Sequence, residues 1–540
     1  MTRERQAARQ PVTPPKAPWW KGAVIYQVYP RSFSDSNGDG IGDLKGIADR
    51  LEHIAGLGCD AVWVAPFFTS PMKDFGYDVA DYCGVDPIFG TLGDFDTLVE
   101  RAHALGLKLI IDQVYSHSSD QHPWFLESRS SRANAKADWY VWADPRPDGS
   151  PPNNWQSVFG GPSWTWDARR EQYYHHDFLK EQPQLNLHNR EVQDALLAVA
   201  AFWLDRGVDG FRLDALNFTM HDPELRDNPP VANPAKRSRP FDFQHHIFNQ
   251  GHPDIIGFIE RVRGLTQRYD EIFTLAEVGG ERSGEEMKLY TSGDRRLNSA
   301  YGFDYLYAEA LTPAVVRDTV ERWSGREGEG WPSWAFSNHD APRFASRWWG
   351  AEKRDNHVRV ALMLLMALRG NAIIYQGEEL GLPQANVPFE HLQDPEAIAN
   401  WPQTLGRDGA RTPMPWTNAA DGGFGSPAPW LPLDPAHLAS CVEVQERDKG
   451  SILNWTRQLI ELRQASMALR RGGIRLIDEQ SDQLIAFERH EGAEYVTCVF
   501  NLSDLPAPNP VRSGTVLLST GGADVALATL PPSSGFIARC

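Results

Sequence analysis

The sequence predicts a (β/α)8 barrel with a loop-rich insertion after its third strand and a C-terminal antiparallel β domain. Three observations predict it. Short apolar runs rich in β-branched and aromatic residues alternate with segments of helical spacing, as parallel strands joined by crossover helices do. Polar and acidic residues collect at the carboxyl ends of several of these runs, where such a barrel carries its chemistry. From about residue 471 the pattern changes to short alternating strands separated by turns, which suits a sheet with one solvated face.

The expected barrel strands are 23–29, 61–66, 107–114, 208–214, 272–277, a weak one near 300–305, 334–338 and 372–376. Helical spacing is clearest over 44–57, 95–105, 192–206 and 357–368. Residues 1–18 are polar and Pro-rich without the apolar core of a signal peptide, and read as a disordered lead-in. The barrel is then expected over 19–117 and 190–470. An inserted domain rich in Pro, Gly and Trp fills 118–189, and an irregular insertion follows the eighth strand over 381–450. The closing β-sandwich occupies 471–540, with strands expected at 483–487, 494–500 and 515–519.

Composition narrows the function. Nineteen Trp, 25 Phe and 15 Tyr supply ample core for a large fold. Acidic residues outnumber basic ones to give a net charge of −18, with no Lys/Arg block, which argues against nucleic acid or an anionic membrane as partner. No apolar run approaches the length of a membrane span. The five cysteines (Cys59, Cys83, Cys441, Cys498, Cys540) are scattered without a CxxC, so neither a disulfide framework nor a zinc site is indicated, and a cytoplasmic location is the expectation. The oligomeric state is left open between monomer and homodimer.

The fourth strand carries the most informative residues. Phe211 and Leu213 alternate with Arg212 and Asp214, so the guanidinium and the carboxylate share one face. A cation fixed beside an acid favours the ionised form that a carboxylate nucleophile requires. Alone, the pair is as consistent with a structural ion pair as with a reactive one. Other strand ends add to it: Asp112-Gln-Val-Tyr-Ser-His117 on the third, Leu275-Ala-Glu277 on the fifth and Phe336-Ser-Asn-His-Asp340 on the seventh. Three acids (Asp214, Glu277, Asp340), with Arg212, His117 and His339 around them, are thus expected on one rim. Converging carboxylates suit glycosidic bond cleavage, in which one attacks the anomeric carbon and another protonates the leaving oxygen.

These segments resemble the conserved regions of the α-amylase superfamily, glycoside hydrolase family 13, from Trp19 through nearly the whole chain. The finer resemblance is to the oligo-1,6-glucosidase/α-glucosidase branch. It rests on Trp19-Trp-Lys-Gly-Ala-Val-Ile-Tyr-Gln-Val-Tyr-Pro-Arg-Ser-Phe33, Gln182-Pro-Gln-Leu-Asn186 and Gly406-Arg-Asp-Gly-Ala-Arg-Thr-Pro-Met-Pro-Trp416. The resemblance implies that Asp214 is the nucleophile, Glu277 the general acid/base and Asp340 the transition-state stabiliser. Arg212, His117 and His339 would complete the glucose subsite. In Lys73-Asp-Phe-Gly-Tyr-Asp78, Asp74 and Tyr77 match residues that hold that glucose, Arg407 matches an arginine pairing with Asp74, and Phe159 and Phe178 match aromatic walls.

The implied activity is that of a retaining, exo-acting α-glucosidase. It would cleave the terminal α-glucosyl residue of small neutral sugars such as sucrose, maltose and related oligosaccharides, with transglucosylation alongside. The alternatives within the family are a sucrose-specific hydrolase, an α-glucosyltransferase and a trehalose-6-phosphate hydrolase. A non-enzymatic relative using the barrel as an interaction surface is weakest, because the acid triad is complete. Two positions depart from the branch: Gln184 stands where Asp is usual, and Ala215 follows the nucleophile where Val or Thr is usual. Linkage preference therefore stays open.

A second signal lies in Asp35-Ser-Asn-Gly-Asp-Gly-Ile-Gly-Asp43. Side-chain oxygens at Asp35, Asn37, Asp39 and Asp43, with the carbonyl of Ile41 and glycines for a tight loop, resemble the first half of a calcium loop. A solvated acidic turn is the alternative reading. Matching loops in the family imply a structural Ca2+, with Mg2+ left open.

Overall fold

The computed structural model describes residues 17–232, 239–323, 329–352, 354–402, 406–478 and 481–539. All but the last two residues of the expected lead-in, and Cys540, lie outside the described residues. Eight parallel strands form one sheet: β1 (Val24–Val28), β2 (Ala61–Val64), β3 (Lys108–Val114), β4 (Gly210–Asp214), β5 (Phe273–Val278), β6 (Ser299–Gly302), β7 (Ser333–Ala335) and β8 (Asn371–Tyr375). Their order is β6-β5-β4-β3-β2-β1-β8-β7, and a parallel bridge between Ala300 and Pro332 joins the two ends into a barrel. Hydroxyl contacts reinforce that seam, with Ser299 Oγ donating to the Trp331 carbonyl at 2.6 Å and lying 2.8 Å from Ser333 Oγ.

Side-chain alternation divides the strands between two cores. Outward residues such as Val62, Val64, Leu109, Ile111, Phe211, Leu213, Ala372 and Ile374 pack beneath the surrounding helices. Inward residues Ile25, Trp63, Ile110, Phe273, Leu275, Tyr301 and Ile373 fill the barrel, and Trp19 and Trp20 pack against this cluster, each 5.8 Å from the Phe273 ring. With the barrel interior filled at that level, inward polar side chains occur toward the carboxyl ends of the strands. Register then sets their partners: Arg212 lies opposite Asp112 on β3 and Leu275 on β5, and Glu277 lies opposite Tyr301 on β6.

Some elements differ from expectation. The helix expected over 44–57 is two, Leu44–Asp49 and Leu51–Leu57, broken at Arg50, where φ is −113° and ψ 6°. Strand β7 is only three residues long, because the chain leaves the sheet before Ser337, Asn338 and His339. Helices at Ile255–Thr266, Ser283–Thr291, Pro313–Arg322 and Ile452–Ala465 add to those expected. Between β3 and β4 a small antiparallel sheet is built from Trp142–Ala143, Trp164–Asp167 and Gln172–His175. The C-terminal sheet is antiparallel in the order β9-β10-β11-β13-β12: β9 (Gly473–Asp478), β10 (Leu484–Glu491), β11 (Glu494–Asn501), β12 (Thr515–Thr520) and β13 (Ser534–Arg539). Among the described residues no helix is long and apolar enough to cross a membrane.

Candidate active site

A pocket of about 990 Å3, its open mouth included, lies at the carboxyl ends of the strands. Asp74, Tyr77, His117, Phe159, Phe178, Asp214, Glu277, Asp340 and Arg407 all line it. Arg212 and His339 are fully buried beneath. The strand ends and the loops that follow them therefore bring the expected residues together.

Arg212 organises the floor. Its Nη1 donates to Asp112 Oδ1 at 2.7 Å and Asp214 Oδ1 at 2.6 Å, and its Nη2 lies 2.7 Å from Glu277 Oε1. Tyr301 Oη accepts from the same guanidinium at 2.9 and 3.1 Å and donates to Glu277 Oε1 at 3.1 Å. Glu277 Oε2 accepts the backbone N–H of Ala215 at 2.9 Å. Ala215 reaches that position through a left-handed backbone (φ 39°, ψ 45°), a conformation an alanine adopts only under constraint. Asp214 and Glu277 are thus held within the span of one guanidinium.

One cation shared by three carboxylates cannot keep all of them ionised away from water. Burial raises the Asp214 carboxyl well above its ordinary value; Arg212 opposes this, and Glu277, Asp112 and Asp340 add to it. Burial likewise pushes Asp112 up to about 6 against Arg212 and the Trp63 indole, which donates to it at 3.0 Å. This corrects the expectation that Arg212 alone fixes Asp214 as an anion. The proton inventory belongs to the cluster.

The opposite wall is cation-rich. Arg407 Nη2 donates to both Asp74 Oδ1 and Asp394 Oδ1 at 2.8 Å, and its Nη1 lies 3.4 Å from Asp340 Oδ1. Arg411 donates to Asp340 Oδ1 at 2.8 Å. Burial acts to raise Asp340, but His339, Arg411, Arg407 and Arg212 overcome it and hold the carboxyl well below the usual range. Asp394 is also lowered, chiefly by Arg407 against burial, whereas burial leaves Asp74 raised despite the same arginine. His339 stacks parallel to Tyr77 at 5.4 Å, with its Nε2 2.6 Å from the Tyr77 hydroxyl, and its Nδ1 accepts from Gln27. Burial lowers His339 to about 3 and His117 to about 4, so both act as neutral imidazoles. Phe178 packs on His117 at 5.2 Å, and the Arg407 guanidinium lies 5.0 Å from the Phe159 ring centre.

Sequence reasoning missed several members. Tyr301, Arg411, Asp394 and Gln182, whose amide lies 3.1 Å from Asp74 Oδ2, hold the charged groups of the pocket in place. Gln182 and Arg411 lay inside quoted motifs, and Asp112 headed one, so a signal was present. Asp394 carried none. Arg239, Phe241, Phe303, Tyr307 and Glu396 complete the outer pocket, and Arg239 is paired with Glu396 at 3.4 Å and Asp242 at 3.3 Å.

The loop after β1 is tied by its own side chains. Asp35 accepts backbone N–H groups of Asn37, Gly38 and Gly40, Asn37 accepts from Asp39, and Asp39 accepts from Ile41. Asp43 caps the following helix through Gly46 and also accepts from Ser36. The donor set, including the Ile41 carbonyl, is all oxygen and fits a hard cation. Among the described residues its three carboxylates do not bring three oxygens within 4.8 Å of one another.

Residues 27–472 match the model of the α-amylase catalytic domain family. A probable α-glucosidase of Rhizobium meliloti (strain 1021) is 53% identical over 498 residues, spanning 91% of this chain and 90% of its own. An oligo-1,6-glucosidase of Parageobacillus thermoglucosidasius is 36% identical over 90% of this chain and 91% of its own. The crystal structure of the α-glucosyl transfer enzyme XgtA superposes with a TM-score of 0.92 at 49% identity, covering 97% of this chain and all of the other. With the fold and the carboxylate-lined pocket already in place, the chain belongs to the α-amylase catalytic domain family, glycoside hydrolase family 13, and is a glycoside hydrolase.

Proposed function

We propose that the protein is a retaining, exo-acting α-glucosidase that removes the terminal α-glucosyl residue of short neutral α-glucosides such as sucrose and maltose. The observation that carries this reading is the pairing of Asp214 and Glu277 on Arg212 at the floor of a pocket whose far wall is sealed by Arg407 bridging Asp74 and Asp394. Carboxyls held this close suit double displacement, which calls for about 5–5.5 Å between them. A sealed wall admits a chain end and excludes its middle.

In the first step an Asp214 oxygen attacks the anomeric carbon, the glycosidic C–O bond breaks and the Glu277 proton goes to the leaving oxygen. In the second a water or alcohol gives its proton to Glu277 and attacks the same carbon, and the glucosyl–Asp214 ester breaks. Asp340, kept anionic by Arg411 and Arg407, accepts hydroxyls of the bound glucose and faces the positive charge that develops on the ring. The alcohol route is transglucosylation. Among the described residues the arginines lining the pocket, Arg239 and Arg407, are already paired with carboxylates, which disfavours a phosphorylated substrate. The oxygen-rich loop of Asp35, Asn37, Asp39, Ile41 and Asp43 would hold a structural Ca2+, which supplies rigidity and takes no part in these steps.

The test is incubation with sucrose, maltose, isomaltose, trehalose and trehalose 6-phosphate, following glucose and the anomer first released. Retained α-configuration from the neutral disaccharides is the expected result. Initial β-glucose, or turnover of the phosphorylated sugar alone, would overturn the reading.

A further inference from the structure

We propose that His188, His252 and Asp254 form a binding site for a divalent transition-metal ion of the zinc class, separate from both the sugar pocket and the oxygen-rich loop. One ligand atom from each lies within 4.8 Å of the others. The hydrogen bonds settle which atoms these are. His188 Nε2 donates to the His221 carbonyl at 2.8 Å, so its Nδ1 carries the lone pair, and that nitrogen lies 3.9 Å from Asp254 Oδ2. His252 Nδ1, 3.8 Å from the same Asp254 Oδ2, is unprotonated, and its one lone pair accepts the Asp254 backbone N–H at 3.3 Å, a long bond that an ion at this nitrogen would replace. Two imidazole nitrogens and a carboxylate oxygen therefore border one point. These separations are too long for a hydrogen bond to span. An ion with bonds of about 2.0–2.2 Å places tetrahedral ligands roughly 3.3–3.6 Å apart, so a small closure satisfies all three.

Two further features fit a ligand set. The bond from His188 Nε2 to a backbone carbonyl is the outer contact that fixes a metal-binding imidazole in tautomer and orientation. Asp254 occupies the N-cap of the helix Ile255–Thr266, yet its carboxylate makes no capping bond to that helix. Its side chain is 67% exposed, which leaves the remaining coordination positions to water. Imidazole with one carboxylate selects zinc, nickel, cobalt or copper over calcium and magnesium.

The bound ion would pin three separate segments. His188 ends the inserted domain, His252 and Asp254 open a barrel helix, and His221 follows the segment that leads from Asp214 past Phe218, a pocket residue. The role is that of a clamp on the outer side of the pocket.

The experiment is titration of the full chain with Co2+ in saturating Ca2+, reading visible d–d absorption and competition by Zn2+. One Co2+ per chain, displaced by Zn2+, is expected. His252→Gln, at a half-buried side chain, and Asp254→Asn, at an exposed one, are expected to weaken it about 10–100-fold. His188→Gln serves as a third variant, its fold checked by circular dichroism. Absence of saturable binding below roughly 1 mM, or a spectrum unchanged in either His252→Gln or Asp254→Asn, overturns the three-ligand site. Every readout is independent of sugar turnover, so failure here and failure of the glucosidase reading are distinct results.

Discussion

The pocket has two charged walls built from the same residue types, and they behave differently. On the floor one arginine, Arg212, serves three carboxylates, and Asp112 and Asp214 rise. On the far wall two arginines, Arg407 and Arg411, serve Asp74, Asp394 and Asp340, and the last two fall. Burial is similar throughout, so the added cations are what lower Asp340 and Asp394, while Asp74 still rises. The floor keeps a proton in circulation, as acid–base chemistry needs. On the far wall Asp340 and Asp394 are held anionic, as a sugar-binding wall would need.

The largest effect should come from removing the reactive groups of the floor. Asp214→Asn and Glu277→Gln are expected to lower kcat by more than about 1000-fold with the fold intact, measured by steady-state turnover beside a thermal melt. Activity close to the parent enzyme in either variant would break the assignment.

Next is the far wall. Arg407→Ala leaves Asp74 and Asp394 buried with one fewer cation, a loss of about 3–5 kcal/mol seen as a lower Tm and urea midpoint. KM should rise more than kcat falls, because this wall binds rather than reacts. A pure kcat effect would erase the distinction between the walls.

The third is a pH profile. A raised carboxyl binds its proton more tightly in the folded state, so activity that needs Asp214 ionised is lost on acidification at a pH above the ordinary carboxylate range. Asp112→Asn removes one competitor for Arg212 and should move the acid limb of kcat/KM downward, by roughly one pH unit. The same signs make the Asp112 contribution to stability fall as pH rises toward about 6, since the native state holds the extra proton. An unmoved limb would show that Asp112 does not tune the floor.

The smallest effect concerns the loop after β1. Its side chains already satisfy its own backbone, so chelation with EDTA should lower Tm by a few degrees and leave kcat unchanged, with Ca2+ restoring it. No shift would show that the hydrogen bonds alone hold this loop.

The barrel and its acid cluster were legible because they depend on local signals. Period-two alternation placed Arg212 and Asp214 together on the inner face, and the strand ends carried Glu277 and Asp340. What escaped is set by long-range register and by insertions. Tyr301 meets Glu277 only because β5 and β6 pair in that register. Asp394 comes from an irregular segment with no periodicity to read. His188 and His252 lie far apart in sequence with no ligand spacing between them. The charge ratio of each wall is a property of three-dimensional proximity, so the rise of Asp214 was invisible to a reading that saw one neighbour.

The seam between β6 and β7 has a mechanical consequence. Seven neighbouring strand pairs are full ladders, while the eighth, among the described residues, is a bridge at Ala300–Pro332 with two serine contacts. A cylinder slit along one line opens there first, and amide exchange should be fastest along β6 and β7 among the barrel strands. Tyr301 stands on that lip with its hydroxyl on both Arg212 and Glu277. Breathing of the slit would therefore reach Glu277 through a single phenol.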